Sequence, residues 1–187
     1  MRNNIITFFD CFIAITTLVM LSPILFCIYI IIFFDHGSPI FIQVRMGKNK
    51  KPFSLIKFRT MKPDTESVAS HLVATSSITP VGRVLRKTKL DELPQLINVL
   101  KRDMSLVGPR PNLFNQIDVI KAREEYEIYS VLPGITGLAQ VNNIDMSTPI
   151  HLAEMDKKML AGFSIRQYFK YIFMTIFGAG RGDAARP

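Results

Sequence analysis

Tryptophan is absent from this 187-residue chain, and cysteine and histidine are scarce, at two and three. Each shortage excludes something. Cys11 and Cys27 both lie in one apolar run with no Cys-x-x-Cys spacing, so neither a disulfide framework nor a zinc site is supported. His36, His71 and His151 are scattered, which removes a histidine-based metal site. Acidic residues are also outnumbered, 15 against 23 Lys+Arg, leaving a net charge of +8. That imbalance calls for an anionic partner: nucleic acid, a membrane surface or a phosphorylated substrate. No helix interleaves basic residues with aromatics, and no RNP, zinc-finger, helix-turn-helix or Walker-type pattern is present. No nucleic acid is therefore expected among the partners, and anionic lipid headgroups explain the charge more simply. With 48% hydrophobic residues the chain is neither disordered nor collagen-like, and its length suits one domain.

From Ile5 to Phe34 the sequence is almost continuously apolar, with Asp10 its one charge. A secretory leader would carry an apolar core of only ~7–15 residues before a small-residue cleavage site. Phe33-Phe34-Asp35-His36-Gly37 follows instead, so the segment is expected to be retained. As a straight helix such a run would measure ~45 Å, against a hydrocarbon core of ~30 Å. Ser22-Pro23 interrupts it near the middle, where proline removes a backbone donor and Ser22 can bond the freed carbonyl region. Positive charge flanks both ends: Arg2 on one side, then Arg45, Lys48, Lys50 and Lys51 on the other. A kinked re-entrant helix and an ordinary single span both fit these residues, and Asp10 would lie near the membrane surface in either.

Beyond the anchor (1–36), one cytoplasmic domain is expected over 37–177 and a loose tail over 178–187. Pro39–Val44 and Phe53–Arg59 read as strands around a basic turn at 47–51. Residues Lys62 to Ser77 read as a loop. Pro80 opens a helix, and Leu93, Leu96, Ile97 and Leu100 mark the apolar face of the next. Asn112 to Ser130 reads as an amphipathic helix with Leu113, Ile117 and Ile120 inward and its charges outward. Thr148-Pro149 caps another, running to about Leu160. The aromatic, basic stretch Ser164–Phe177 suits a membrane interface, though a plain core helix fits it equally. The fold class is thus α/β and mostly helical.

Several constellations could carry chemistry. Asp91-Glu92 stands just before a helix, where Asp91 could serve as its N-cap. Arg86, Lys87 and Lys89 stand nearby, and a carboxylate among cations stays ionised and can bind a divalent metal or attack phosphorus. Gly108-Pro109-Arg110-Pro111 presents Arg110 from a stiff backbone suited to bidentate phosphate binding, or forms only a rigid turn. Pro133–Gly137 reads as a second rigid turn, with Gln140 and Asn142 beyond. Asp156 borders the apolar stripe of Leu152, Met155, Met159 and Leu160, so it is either paired structurally or part of a site.

Taken together, Lys57-Phe58-Arg59-Thr60-Met61, Leu90-Asp91-Glu92-Leu93-Pro94-Gln95-Leu96, the run from Asp103 to Pro111 and the run from Pro133 to Val141 resemble the bacterial sugar transferases, the monotopic phosphoglycosyl transferases, in their minimal form. The resemblance covers nearly the whole chain, from Ser22-Pro23 to about Phe177. It implies transfer of a sugar 1-phosphate from a UDP-sugar to a polyprenyl phosphate, with release of UMP and help from Mg²⁺. It implies that Asp91 is the nucleophile of a covalent phosphosugar intermediate and a metal contact, with Glu92 in a supporting role. Arg86 and Arg110 match cationic positions, while Lys57, Arg59 and Asp156 fall at polar positions of the family's site. Ser22-Pro23 matches the break of a re-entrant hairpin, placing the enzyme on the cytoplasmic face of a bacterial inner membrane, among membrane lipids. Homo-oligomers stay open, as does the identity of the sugar. Leu132 and Leu138 depart from the family pattern, where Arg and Trp are common. The rival readings are a non-catalytic scaffold binding anionic lipid and a single-span protein with a nucleic-acid-binding domain.

Overall fold

The computed structural model describes residues 4–63, 65 and 77–180. The loop expected from Lys62 to Ser77 and the tail expected from 178 to 187 therefore fall largely outside the described residues. The chain is mostly helical with small sheets. Helix α1 (Asn4–His36) is 33 residues long and is apolar enough, by length and composition, to cross a membrane. It runs through Ser22-Pro23 without interruption, so the expected break is not a gap in the helix. The reason is local. Pro23 cannot donate to the carbonyl four residues back, which is that of Val19, and the Ser22 hydroxyl donates to it instead at 2.8 Å.

Strands β1 (Ile40–Met46) and β2 (Pro52–Phe58) form an antiparallel hairpin in which Phe41 faces Lys57, Gln43 faces Leu55 and Arg45 faces Phe53. Its polarity is inverted. Ile42 and Val44 are 60% and 53% exposed, whereas Gln43, Arg45 and Lys57 are buried. Helix α2 (Pro80–Thr88) is capped by the Thr79 hydroxyl, which accepts from the Gly82 N–H at 2.9 Å. Gly82 lets α2 rest directly on Thr60, since a Cβ there would lie 2.1 Å from the Thr60 carbonyl.

A 3₁₀ turn (Leu90–Glu92) leads into α3 (Gln95–Leu100), whose N-cap is Pro94 with no side-chain cap. Asp91 is thus not the cap of that helix. The inward face of α3 is also not quite the expected one: Gln95 and Asn98 are buried beside Leu96 and Val99, while Ile97 and Leu100 face outward. Asn98 explains the exchange. Its amide donates to the Ser54 carbonyl at 2.7 Å and accepts from the Ile56 N–H at 3.0 Å, covering the free edge of β2 as a strand would.

Strands β3 (Ser105–Val107) and β4 (Gly134–Thr136) pair in parallel, so the expected turn at Pro133–Gly137 holds a short strand. Their backbones nearly touch, since a Cβ on Gly134 would fall 2.0 Å from the Gly108 nitrogen. Helix α4 (Ile117–Glu124) is shorter than expected and buries Val119, Ala122 and Arg123, leaving Ile117 exposed. The short α5 (Leu138–Val141) leads to α6 (Pro149–Ala161) and α7 (Ile165–Ile176). Helix α7 buries Tyr168 and Tyr171 and exposes Phe173, Ile176 and the following Phe177. The main core gathers Leu96, Val99, Met104, Leu106, Met159 and Tyr168 with Ile6 and Ala14 of α1.

Asp10 is buried at 3% exposure. It accepts from the Ser105 hydroxyl at 2.9 and 3.0 Å, the Leu106 N–H at 3.0 Å and the Tyr168 hydroxyl at 2.9 Å. One carboxylate thereby ties α1 to β3 and α7, and each donor stranded by its loss would cost roughly 1–3 kcal/mol. Further along α1, Ile28 and Ile32 pack with Phe58 and Leu85.

Candidate active site

The Asp91-Glu92 pair lies on the tight turn that packs against β2 and the end of α2. Both carboxylates are buried, Asp91 at 1% exposure and Glu92 at 6%. Lys89, with φ +58, turns the chain sharply from α2 into that turn. Burial lowers the Lys89 amine below its usual 10.5; Glu92 opposes that shift and Arg110 adds to it, so all three groups share one electrostatic neighbourhood.

One cation is bonded to the pair, and three more are held by partners on neighbouring elements. Arg110 donates to Glu92 Oε1 at 2.8 Å. Arg86 is buried and its Nε donates to the Thr60 hydroxyl at 2.8 Å, aligned by the contact of α2 on Thr60. Lys57 is buried on the inner face of β2, its Nζ 5.5 Å from the Phe41 ring centre. Arg59 lies over the same ring at 5.6 Å, and its guanidinium also donates to the Ile40 carbonyl at 3.4 Å. A cleft lined by Arg45, Leu55, Lys57, Gln95, Arg110, Pro111 and Gly134 joins two of the expected cations to two polar residues not foreseen. Arg45 and Gln95 gave little signal, although Arg45 alternates with Gln43 along β1 and so shares its face.

The stiffness expected of Gly108–Pro111 has a visible source. Each carbonyl from Gly108 to Asn112 accepts from a different donor. The donors are Gln140 Nε2 (3.1 Å), the Gly134 N–H (2.8 Å), Arg123 Nη1 (2.8 Å), Arg45 Nη1 (3.2 Å) and the Met46 N–H (2.9 Å). The segment thus presents Arg110 from a backbone tied at five successive points.

Asp156 sits elsewhere. It is fully buried, and its Oδ2 accepts from Arg123 Nε at 3.0 Å and Nη2 at 2.7 Å. Burial raises the Asp156 carboxyl, and the Arg123 guanidinium opposes that shift. Asp156 is thus paired with Arg123. Arg123 went unnoticed in the sequence because its neighbours are charged, yet it stands four residues after the buried Val119. Ser22 and Pro23 lie on the exposed middle of α1, apart from these groups.

Comparison with known proteins places this geometry. The model of the bacterial sugar transferases matches residues 1–181, and the chain belongs to that family. It is 38% identical to the uncharacterised sugar transferase EpsL of Bacillus subtilis, over 90% of this chain and 83% of that protein. It is 36% identical to the UDP-glucose:undecaprenyl-phosphate glucose-1-phosphate transferase of Escherichia coli, over 90% of this chain and 38% of that protein. An undecaprenyl-phosphate galactose phosphotransferase of Salmonella typhimurium is also 36% identical, over 76% of this chain and 34% of its own length. The chain therefore spans little more than a third of the latter two. Enzyme character follows from the family, and the long apolar N-terminal helix fits membrane association.

Proposed function

We propose that this protein transfers a sugar 1-phosphate from a UDP-sugar to a polyprenyl phosphate, the first membrane step in building a glycoconjugate. The observation that carries the reading is the buried Asp91-Glu92 pair with Arg110 bonded to Glu92 and Lys89 in the same electrostatic neighbourhood. Relatives named as glucose-1-phosphate and galactose phosphotransferases acting on undecaprenyl phosphate support the substrate classes.

The residues divide the work. A carboxylate oxygen of Asp91 attacks the sugar-bearing phosphorus of the donor. The bond from that phosphorus to the bridging oxygen breaks, and UMP leaves with the electron pair. An oxygen of the polyprenyl phosphate then attacks the same phosphorus, and the bond to Asp91 breaks and restores the carboxylate. Attack by an anion on a diphosphate needs its charge neutralised, a task for Arg86, Arg110, Lys57 and Arg59. Glu92 holds the Arg110 guanidinium in place. Among the described residues no cluster of three or more His, Cys, Asp or Glu forms a metal cage. Mg²⁺ commonly binds through one or two carboxylates plus substrate phosphates, and the Asp91-Glu92 pair fits that mode. When bound there, the ion would supply charge neutralisation at the phosphates.

We further propose that α1 enters and leaves the membrane from its cytoplasmic face, with α7 lying at the interface. Contacts near both ends of α1 support this. Ile6, Asp10 and Ala14 near its start and Ile28 and Ile32 near its end pack on the same catalytic body. A spanning helix would have to carry one of these sets across the hydrocarbon.

The test is UMP release by the purified protein with polyprenyl phosphate, Mg²⁺ and a panel of UDP-sugars. Release with one or two donors, reduced at least about a thousandfold in Asp91→Asn, is the expected result for loss of a nucleophile. Full activity in a folded, membrane-bound Asp91→Asn would sink the reading. Silence across the panel would favour a lipid-binding scaffold.

A further inference from the structure

We propose that Arg123, fixed by Asp156, is a positioning residue that sets the Arg110 backbone and through it the bond from the Arg110 guanidinium to Glu92. The inference builds on the transfer reading for its effect on rate, but its geometry stands without it. Arg123 is 1% exposed and Asp156 is 0% exposed, and the two are bonded to each other. A buried ion pair is weak ground for stability, because well-packed apolar residues often replace one without loss. What distinguishes this pair is where its remaining hydrogen bonds go.

Arg123 spends Nε and Nη2 on a single oxygen of Asp156, which leaves Nη1 aimed away from the pair. That nitrogen donates to the Arg110 carbonyl at 2.8 Å and to Asn112 Oδ1 at 3.0 Å. The Tyr129 hydroxyl donates to the same Asn112 oxygen at 3.0 Å, and burial raises its pKa, which keeps it protonated as a donor. Arg110 is thus pinned at its carbonyl by one buried arginine while its own guanidinium reaches Glu92 at 2.8 Å. A rigid planar fork is needed to serve a carboxylate and a carbonyl together, and the point charge of a lysine has no such shape. Asp156 locks the fork, Arg123 sets the backbone, and Arg110 delivers the charge.

The test uses the full chain in lipid nanodiscs and the double variant R123M/D156L, which removes both charges together and leaves no lone buried ion. The first readout needs no turnover. In the parent, Arg110→Ala and Glu92→Gln are expected to lower the melting temperature non-additively, as partners do; in R123M/D156L their effects become additive. The second readout is kcat/KM for UMP release. R123M/D156L should lower it about a hundredfold in the parent background, but less than about twofold where Arg110 is already alanine. Coupling that survives in R123M/D156L, or equal losses in both backgrounds, overturns the inference. If the double variant does not fold, Arg123→Lys serves: it keeps the ion pair, loses the reach to Arg110, and should still abolish the thermal coupling. A parent that releases no UMP yet shows the expected thermal pattern would retire the transfer reading and keep the positioning role.

Discussion

Lys89 closes α2 with φ +58, a left-handed conformation that costs a residue with a Cβ on the order of 1–2 kcal/mol. Its N–H caps α2 by donating to the Arg86 and Leu85 carbonyls, and its amine donates to the Ala179 carbonyl near the end of the described chain. That conformation turns the chain from α2 directly into the turn that carries Asp91 and Glu92. The amine is held below its ordinary 10.5, chiefly by burial. Below the folded-state value the amine is charged in both states, and the folded state bears the full desolvation cost. As pH climbs from that value towards 10.5 the unfolded chain holds more protons, so stability should rise with pH across this window. Lys89→Met should lack the rise. Melting temperatures of the two proteins, compared from neutral pH to about 10.5, are expected to shift steadily in favour of the parent; a constant difference would mean that the amine is not desolvated.

At the level of elements, Ser22 and Pro23 act as a unit on α1. Pro23 deprives the Val19 carbonyl of its helical donor, and the Ser22 hydroxyl replaces it. Ser22→Ala should therefore destabilise, by roughly 1–3 kcal/mol for a carbonyl left without a donor in an apolar medium. Ser22→Ala combined with Pro23→Ala should recover that loss, since alanine in place of Pro23 restores the missing N–H. Unfolding of the parent, the two single variants and the double variant in lipid would show the non-additivity. Much of this element was legible beforehand, because length, apolarity and a proline's missing donor are local properties. Strands β1 and β2, the start of α2 at Pro80 and the cap position before α6 were legible for the same reason. What escaped notice was set by distant partners. Asn98 reads as a polar residue on an apolar helix until β2 offers it an unpaired edge. Arg123 reads as one more surface charge until Asp156, 33 residues later, meets it. The inverted face of β1 was hidden too, since alternation alone does not say which side faces the site. Motif resemblance reached Asp91, Glu92, Arg86 and Arg110, but the ties that hold them came only with the fold.

For the molecule as a whole, α1 is bound to the catalytic body near both ends. From Ile6 to Ile32 a straight helix would advance ~39 Å, beyond the ~30 Å of a hydrocarbon core. Tags placed at the N-terminus and at the C-terminus should therefore both react with a membrane-impermeant label from the cytoplasmic side in inverted vesicles. Labelling of the two from opposite sides would establish a span. The outward surface of α1 is made of Phe8, Phe12, Ile15, Val19, Met20, Ile24 and Phe26. If the body enters one leaflet only, as proposed, this wedge displaces lipid from that leaflet and none from the other. Area mismatch of that kind relaxes when the occupied leaflet is convex, because headgroups there are already splayed. The protein would then be a sensor of bilayer shape as well as an occupant, and crowding many copies into one patch would bend the sheet towards the side on which they sit.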